Sequence, residues 1–215
     1  MDIKKRLKVL VSAYACEPGK GSEPEVGWNW VKLIAKKNDV WVLTRKNNQK
    51  AIESELMHDP IANAKFVYID LPRWMRFWKK GQYGIHLYYY LWQIYAFLKA
   101  KKLSRIIPFD LAHQVTFVCD WMPSFLSLLP IPFIWGPIGS QRVPKPLRSE
   151  IGWKGLLQEY LKISIRWFMQ NLDPFFKLML RRSKIIIATN RETASRIPKP
   201  QQSKVKIIFQ KWNIR

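Results

Sequence analysis

The stretch Lys8–Trp30, KVLVSAYACEPGKGSEPEVGWNW, decides how the rest of the chain reads. Val9, Leu10 and Val11 form a β-branched, apolar run that predicts a buried strand. The run ends in a loop crowded with Gly, Pro, Ser and Glu, and an apolar helical pattern begins near Val26. Strand, loop and helix N-terminus in that order open a parallel α/β sheet. Outward-pointing N–H groups and the helix dipole make such a place receptive to anions or sugars. The loop alone leaves the ligand open.

Working outward, the same alternation recurs. Val26–Lys37 predicts a helix, Val40–Thr44 a buried strand, Asn47–Met57 a helix and Lys65–Asp70 a third strand. Leu71–Gly84 is a basic, aromatic connection, followed by a long apolar helix over Ile85–Leu103. Its apolar run, interrupted by His86 and Gln93, falls short of the roughly 20 residues a bilayer span needs, so it reads as buried or interfacial. Strands follow at Asp110–Thr116 and Pro132–Trp135, with a short helix over Trp121–Leu129 between them. A Pro-rich loop, Val143–Pro146, leads into a helical stretch covering most of Ile151–Arg182. The end reads as strand Lys184–Thr189, helix Arg191–Ile197 and strand Lys204–Phe209. Strands alternating with helices predict an α/β fold with a doubly wound parallel sheet and helices on both faces.

Of 215 residues, 48% are hydrophobic, enough to bury a core and exclude a disordered chain. Lys and Arg number 37 against 15 Asp and Glu, and the resulting charge of +22 points to anionic partners. The segment Arg73–Lys80, RWMRFWKK, interleaves bases with aromatics, which suits nucleic-acid stacking or a surface resting among lipid headgroups. A solvated basic loop over the sheet edge fits it equally. Cys16 and Cys119 are the only cysteines, with no spacing for zinc, so the plain reading is a reducing, cytoplasmic compartment. The apolar run after Lys4-Lys5-Arg6 is too short for a signal peptide.

Gly19-Lys20-Gly21-Ser22 fits neither nucleotide fingerprint. A Walker loop needs Ser or Thr directly after Lys, where Gly21 stands, and a dinucleotide loop needs Gly where Pro24 stands.

Ser12–Pro24, running into Val26-Gly27-Trp28-Asn29-Trp30, resembles the first loop of bacterial glycosyltransferases of the group 1, or family four, superfamily. Three further segments agree in order: Asp110–Ser124 (DLAHQVTFVCDWMPS), Phe133–Ser140 (FIWGPIGS) and Ala188–Pro198 (ATNRETASRIP). The resemblance implies half of a GT-B fold: a Rossmann-like N-terminal, acceptor-side domain over residues 1–209. Residues 210–215 then read as a truncated tail, with the donor domain absent. It further implies sugar transfer from a nucleotide-sugar, as co-substrate, to a glycan or lipid-linked acceptor, with retention and without a metal or resident cofactor. The expectation is a chain inactive alone and peripheral at the inner membrane face, with three readings open: a truncated product, half of a split enzyme completed by a separate donor-domain chain, or a decayed pseudoenzyme that binds no ligand. Nucleic acid is not an expected partner, because no motif that reads it is present. A non-enzymatic basic protein binding nucleic acid or membrane stays as the alternative.

In the matching family the His of H-x-V-T-F lies near the reaction centre, which makes His113 the catalytic candidate. A packed histidine bonded to backbone is the other reading. Glu17, Gly19, Gly21, Ser22 and Glu23 of the first loop are substrate-binding candidates, with Glu23 also suited to the helix N-terminus. Thr116, Asp120, Gly136 and Gly139 share the predicted strand edge and complete the set, although turn and cap roles suit them as well. Arg73, Trp74, Arg76, Phe77, Trp78, Lys79 and Lys80 are the membrane-contact candidates. His58 and His86 receive no role. Glu25 and Gly139-Ser140-Gln141 depart from the family pattern, which has Gly after Ser-Glu-Pro and is richer in Gly at the second place.

Overall fold

A computed structural model of the chain describes residues 5–77, 81, 84–139 and 152–208. Trp78, Lys79, Lys80, the Val143–Pro146 loop, Ser140-Gln141 and residues 210–215 lie outside the described residues.

Seven strands among the described residues form one parallel sheet. They are β1 (Lys8–Ala13), β2 (Asp39–Arg45), β3 (Ala64–Ile69), β4 (Leu111–Thr116), β5 (Phe133–Ile138), β6 (Ser183–Ala188) and β7 (Val205–Ile207). The helices are α1 (Ser22–Ala35), α2 (Gln49–His58), α3 (Ile85–Ser104), α4 (Gly152–Leu172), α5 (Pro174–Arg182) and α6 (Arg191–Ser195). Strand order β3-β2-β1-β4-β5-β6-β7 reverses direction between β1 and β4, the Rossmann-like pattern of a doubly wound sheet. Crevices for ligands open at the carboxyl ends of the strands flanking such a reversal.

Burial explains the strand readings. β1 is buried over five of six positions because both faces are covered, and so reads as a continuous apolar run. One face packs Val9, Val11, Trp28, Val31 and Ile52 beneath α1 and α2. The other packs Leu10, Tyr14, Tyr89, Trp92, Trp135 and Phe176 beneath α3 and α5. Tyr89, Trp92, Ala96 and Ala100 lie along one buried stripe of α3, and Trp92 Nε1 donates to the Ile69 carbonyl at 3.1 Å.

Four local expectations are corrected. α1 begins at Ser22, because Pro24 falls in the first turn, where a missing N–H costs no hydrogen bond. Trp121–Leu129 holds only a single 3₁₀ turn, Phe125–Leu128; Pro123 interrupts any longer helix. The helical stretch after residue 151 is two helices. Asp173 caps the second by accepting from Phe175 N at 2.7 Å and Phe176 N at 3.2 Å, and Pro174 follows at its first turn. The last strand is three residues long, preceded by a 3₁₀ segment over Lys199–Lys204.

Candidate functional site

The loops at the carboxyl ends of β1, β4, β5 and β6 enclose a cavity of about 560 Å³. Its position follows from how the first loop is tied down. Thr116, the last residue of β4, accepts from Ala15 N at 3.1 Å and donates to the Ala15 carbonyl at 2.8 Å through one hydroxyl. Gly27 lets α1 press on the same loop: a Cβ there would sit 2.0 Å from the Ala15 carbonyl oxygen, which no side chain tolerates. Glu23, in the first turn of α1, accepts from Val118 N and so ties the helix to the loop after β4. Burial raises the pKa of Glu23, and the Val118 hydrogen bond pulls it back only partly.

Ser22, Glu23, Asp120 and Gly139 line the cavity. Glu17, Gly19, Gly21, Thr116, Gly136 and His113 stand outside its lining. Glu17 pairs with Lys20 at 2.6 Å, and Gly19 is exposed. Gly21 caps α1 with a φ of 68°. Gly136 is buried at a φ of 118°, and a Cβ on it would lie 2.3 Å from the Ile187 carbonyl oxygen. Gly136 lies in β5 at an irregularity of the β5–β6 register, three residues before Gly139 on the cavity wall.

His113 pairs in register with Val11, and Thr116 with Ala13, so the first loop and the His113 strand share one end of the sheet. The His113 ring is buried at 4% exposure. Its Nε2 donates to the Gly136 carbonyl at 2.7 Å, and Trp30 meets the ring edge-on with centroids 5.5 Å apart. Burial lowers its pKa to about 4, so the ring is neutral near pH 7.

Asp120 is the most constrained acid of the site, with no exposed surface. Arg166 Nε of α4 and Arg196 Nη1, just past α6, each stand 3.6 Å from one of its oxygens. That separation is too long for a hydrogen bond, and both oxygens lack a hydrogen-bond partner. Gln170 of α4 donates to the Asp120 backbone carbonyl at 2.9 Å. The sequence reading missed Arg166, Arg196 and Gln170, and it missed His86 and Trp121, whose rings stack obliquely 5.0 Å apart on the cavity wall. Burial first, then Lys162 and Arg166, lower the His86 pKa. Asn190 lines the wall while its Oδ1 accepts from Thr193 N at 2.7 Å.

The cavity thus offers carboxylate acceptors, one guanidinium donor and aromatic walls, a donor and acceptor set suited to a hydroxyl-rich ligand. Among the described residues no group of three or more His, Cys, Asp or Glu side chains could hold a metal ion. Cys16 and Cys119 are buried, and burial pushes both thiols up to about 12, away from nucleophilic use.

No protein-family model and no curated protein matches the chain. Solved structures do. UGT73P12 of Glycyrrhiza uralensis, solved with glycyrrhetinic acid 3-O-monoglucuronide, matches 95% of this chain at 14% identity and a TM-score of 0.52. The glycotransferase of kitacinnamycin matches 98% at 11% identity, also with a TM-score of 0.52. Both are GT-B glycosyltransferases, and the chain spans 49% and 53% of their lengths, so its fold is half of a GT-B fold.

Proposed function

We propose that the chain is the acceptor-side domain of a nucleotide-sugar-dependent glycosyltransferase of the group 1, family four kind, with residues 1–209 as that domain. The observation that carries the reading is the cavity at the switch point of the sheet, where Ser22, Glu23, Asp120 and Gly139 come together from separate loops. The acceptor, a glycan or lipid-linked sugar, offers hydroxyls to Glu23 and Asp120, while Arg166, beside Asp120, and Asn190 complete the lining. His113 acts from β4 as a positioning residue, its hydrogen bond to the Gly136 carbonyl holding the end of β5 that leads to Gly139. The nucleotide-sugar binds across the cleft on a partner domain or chain, whose fixed dipoles stabilise the departing diphosphate. Arg73, Trp74, Arg76 and Phe77, of which Trp74 and Phe77 are 72% and 78% exposed, rest against an anionic membrane.

The chain alone then binds glycosides but transfers nothing. Purified chain with nucleotide sugars and a membrane extract is expected to give no labelled product. Simple glycosides are expected to shift the amide resonances of Ser22 and Gly139 saturably. Transfer by the chain alone would overturn the half-site reading. Nucleotide bound in this cavity with no response to glycosides would overturn the acceptor assignment.

A further inference from the structure

We infer that α4 is an interfacial helix that lays the protein on an anionic bilayer. The helix is built inside out. Its inner side carries Glu159, which is buried, with Arg166 and Gln170, both engaged with Asp120. Its outer side carries Trp153, Leu157, Tyr160, Leu161, Trp167 and Phe168, each 55% to 72% exposed. At 3.6 residues per turn these six fall on one arc of about 120°. A helix of a globular protein turns such an arc to the core, and an exposed patch of this kind marks an interaction surface.

Charge identifies what covers it. Over the ranges of α3, α4 and α5 the only carboxylate is Glu159; it is buried, as is Asp173 at the junction of α4 and α5, so these helices expose bases and almost no acid. Lys154 is exposed at the edge of the apolar arc, and Lys162 is exposed farther round, on the side toward His86. A second copy would bring another charge of +22 against the first. A nucleic acid would leave Leu157 and Leu161 facing phosphates and water, since base stacking uses aromatic rings. Anionic lipid satisfies both features: headgroups meet the lysines, and acyl chains cover the leucines and aromatics. No helix of the described residues is long and apolar enough to cross a membrane, so α4 lies in the plane of the surface.

A second observation agrees. An apolar groove of about 450 Å³, lined by Leu87, Ile165, Phe168, Leu172 and Phe175, opens between α3, α4 and α5. It shares His86 and Trp121 with the polar cavity. Docking on α4 therefore holds the cavity at headgroup level, where a membrane-resident amphiphile reaches it without leaving the bilayer. The docking does not rest on the glycosyltransferase reading.

The test uses the full chain with Leu161→Cys carrying an environment-sensitive fluorophore; the buried Cys16 and Cys119 leave that thiol as the reactive one. Vesicles of phosphatidylcholine with phosphatidylglycerol are expected to shift the emission to the blue and carry the protein to the top of a density gradient. Phosphatidylcholine alone should do neither. Replacing Leu157, Leu161 and Phe168 together by Ser should weaken vesicle partitioning by about tenfold or more, with thermal unfolding unchanged. Equal flotation of that variant, or no flotation of the wild type, overturns the inference. So does a dimer in sedimentation that the triple substitution dissolves. Absence of glycoside binding would leave the docking result standing.

Discussion

Helices α4 and α5 are neighbours in sequence, both amphipathic, and they face opposite ways. α5 turns Phe176, Met179 and Leu180 into the core and leaves Lys177 and Arg181 outside. α4 turns Glu159, Arg166 and Gln170 inward and leaves its aromatics outside. The difference lies in what each helix covers. Beneath α5 are Trp135 and Ile186, apolar and fully buried. Beside α4 is a polar cavity whose Asp120 needs cationic partners. A helical period therefore fixes a stripe, while the surface underneath decides which way the stripe points.

The sharpest break of that contrast is a matched pair of truncations. Phe176 is buried at 2% and meets Trp135 edge-on at 5.7 Å. Phe176→Ala should cost about 4 kcal/mol, the transfer loss plus the cavity left behind. Phe168→Ala, on the exposed side of α4, should stay within about 0.5 kcal/mol. Urea unfolding of the two variants measures both, and similar costs would mean that something in the monomer covers α4.

Next in size is the inner side of α4. Asp120→Ala leaves Arg166 and Arg196, whose side chains are 14% and 15% exposed, facing each other without their shared acid. A loss of about 3 kcal/mol is expected, with Asp120→Asn recovering part of the packing but not the charge. A neutral result would show that the two arginines turn out to water and that α4 is held by other contacts.

The polar group beneath the sheet behaves differently, because it is neutral. The His113 pKa falls from 6.5 to about 4 through burial, opposed in part by its bond to Gly136. Its contribution is complete above pH 6.5 and is lost as pH falls toward 4, because the unfolded chain takes up the proton first. Stability should drop by about 2–3 kcal/mol across that window. His113→Gln should flatten the drop while lowering stability at pH 7. An unchanged acid limb would show that folding does not shift the His113 pKa.

Much of this was legible in the chain. Strands β1 and β2 declare themselves because a sheet covered on both faces needs continuous apolar runs, such as Val9–Val11 and Val40–Leu43, while β3 and β6 read through their β-branched and aromatic residues although Lys65 and Ile185 stay exposed. The cavity loops were legible at Ser22, Glu23, Asp120 and Gly139, since each follows or ends a strand of the parallel sheet. The strand of His113 was legible, but the direction of its ring was set by the Val11 register and by Trp30. Arg166, Arg196 and Gln170 were not, because they reach Asp120 from α4 and from the residue after α6, far along the chain, and only tertiary packing brings them there. The helix break went unread, although Asp173-Pro174, a cap followed by a residue without an N–H, carries its signal.

That break yields the smallest expected effect and bears on the contrast directly. Asp173→Ala removes the acceptor for Phe175 N and Phe176 N and should cost about 1 kcal/mol. It should not fuse α4 and α5. Pro174 would then sit inside a continuous helix, with its ring against the Gln170 carbonyl and no hydrogen bond to offer. Circular dichroism of the variant should therefore show no gain in helix, while thermal unfolding falls slightly. A gain would mean that Asp173, rather than Pro174, keeps the two stripes out of phase. The outward face of α4 would then follow from its cap and not from the cavity beside it.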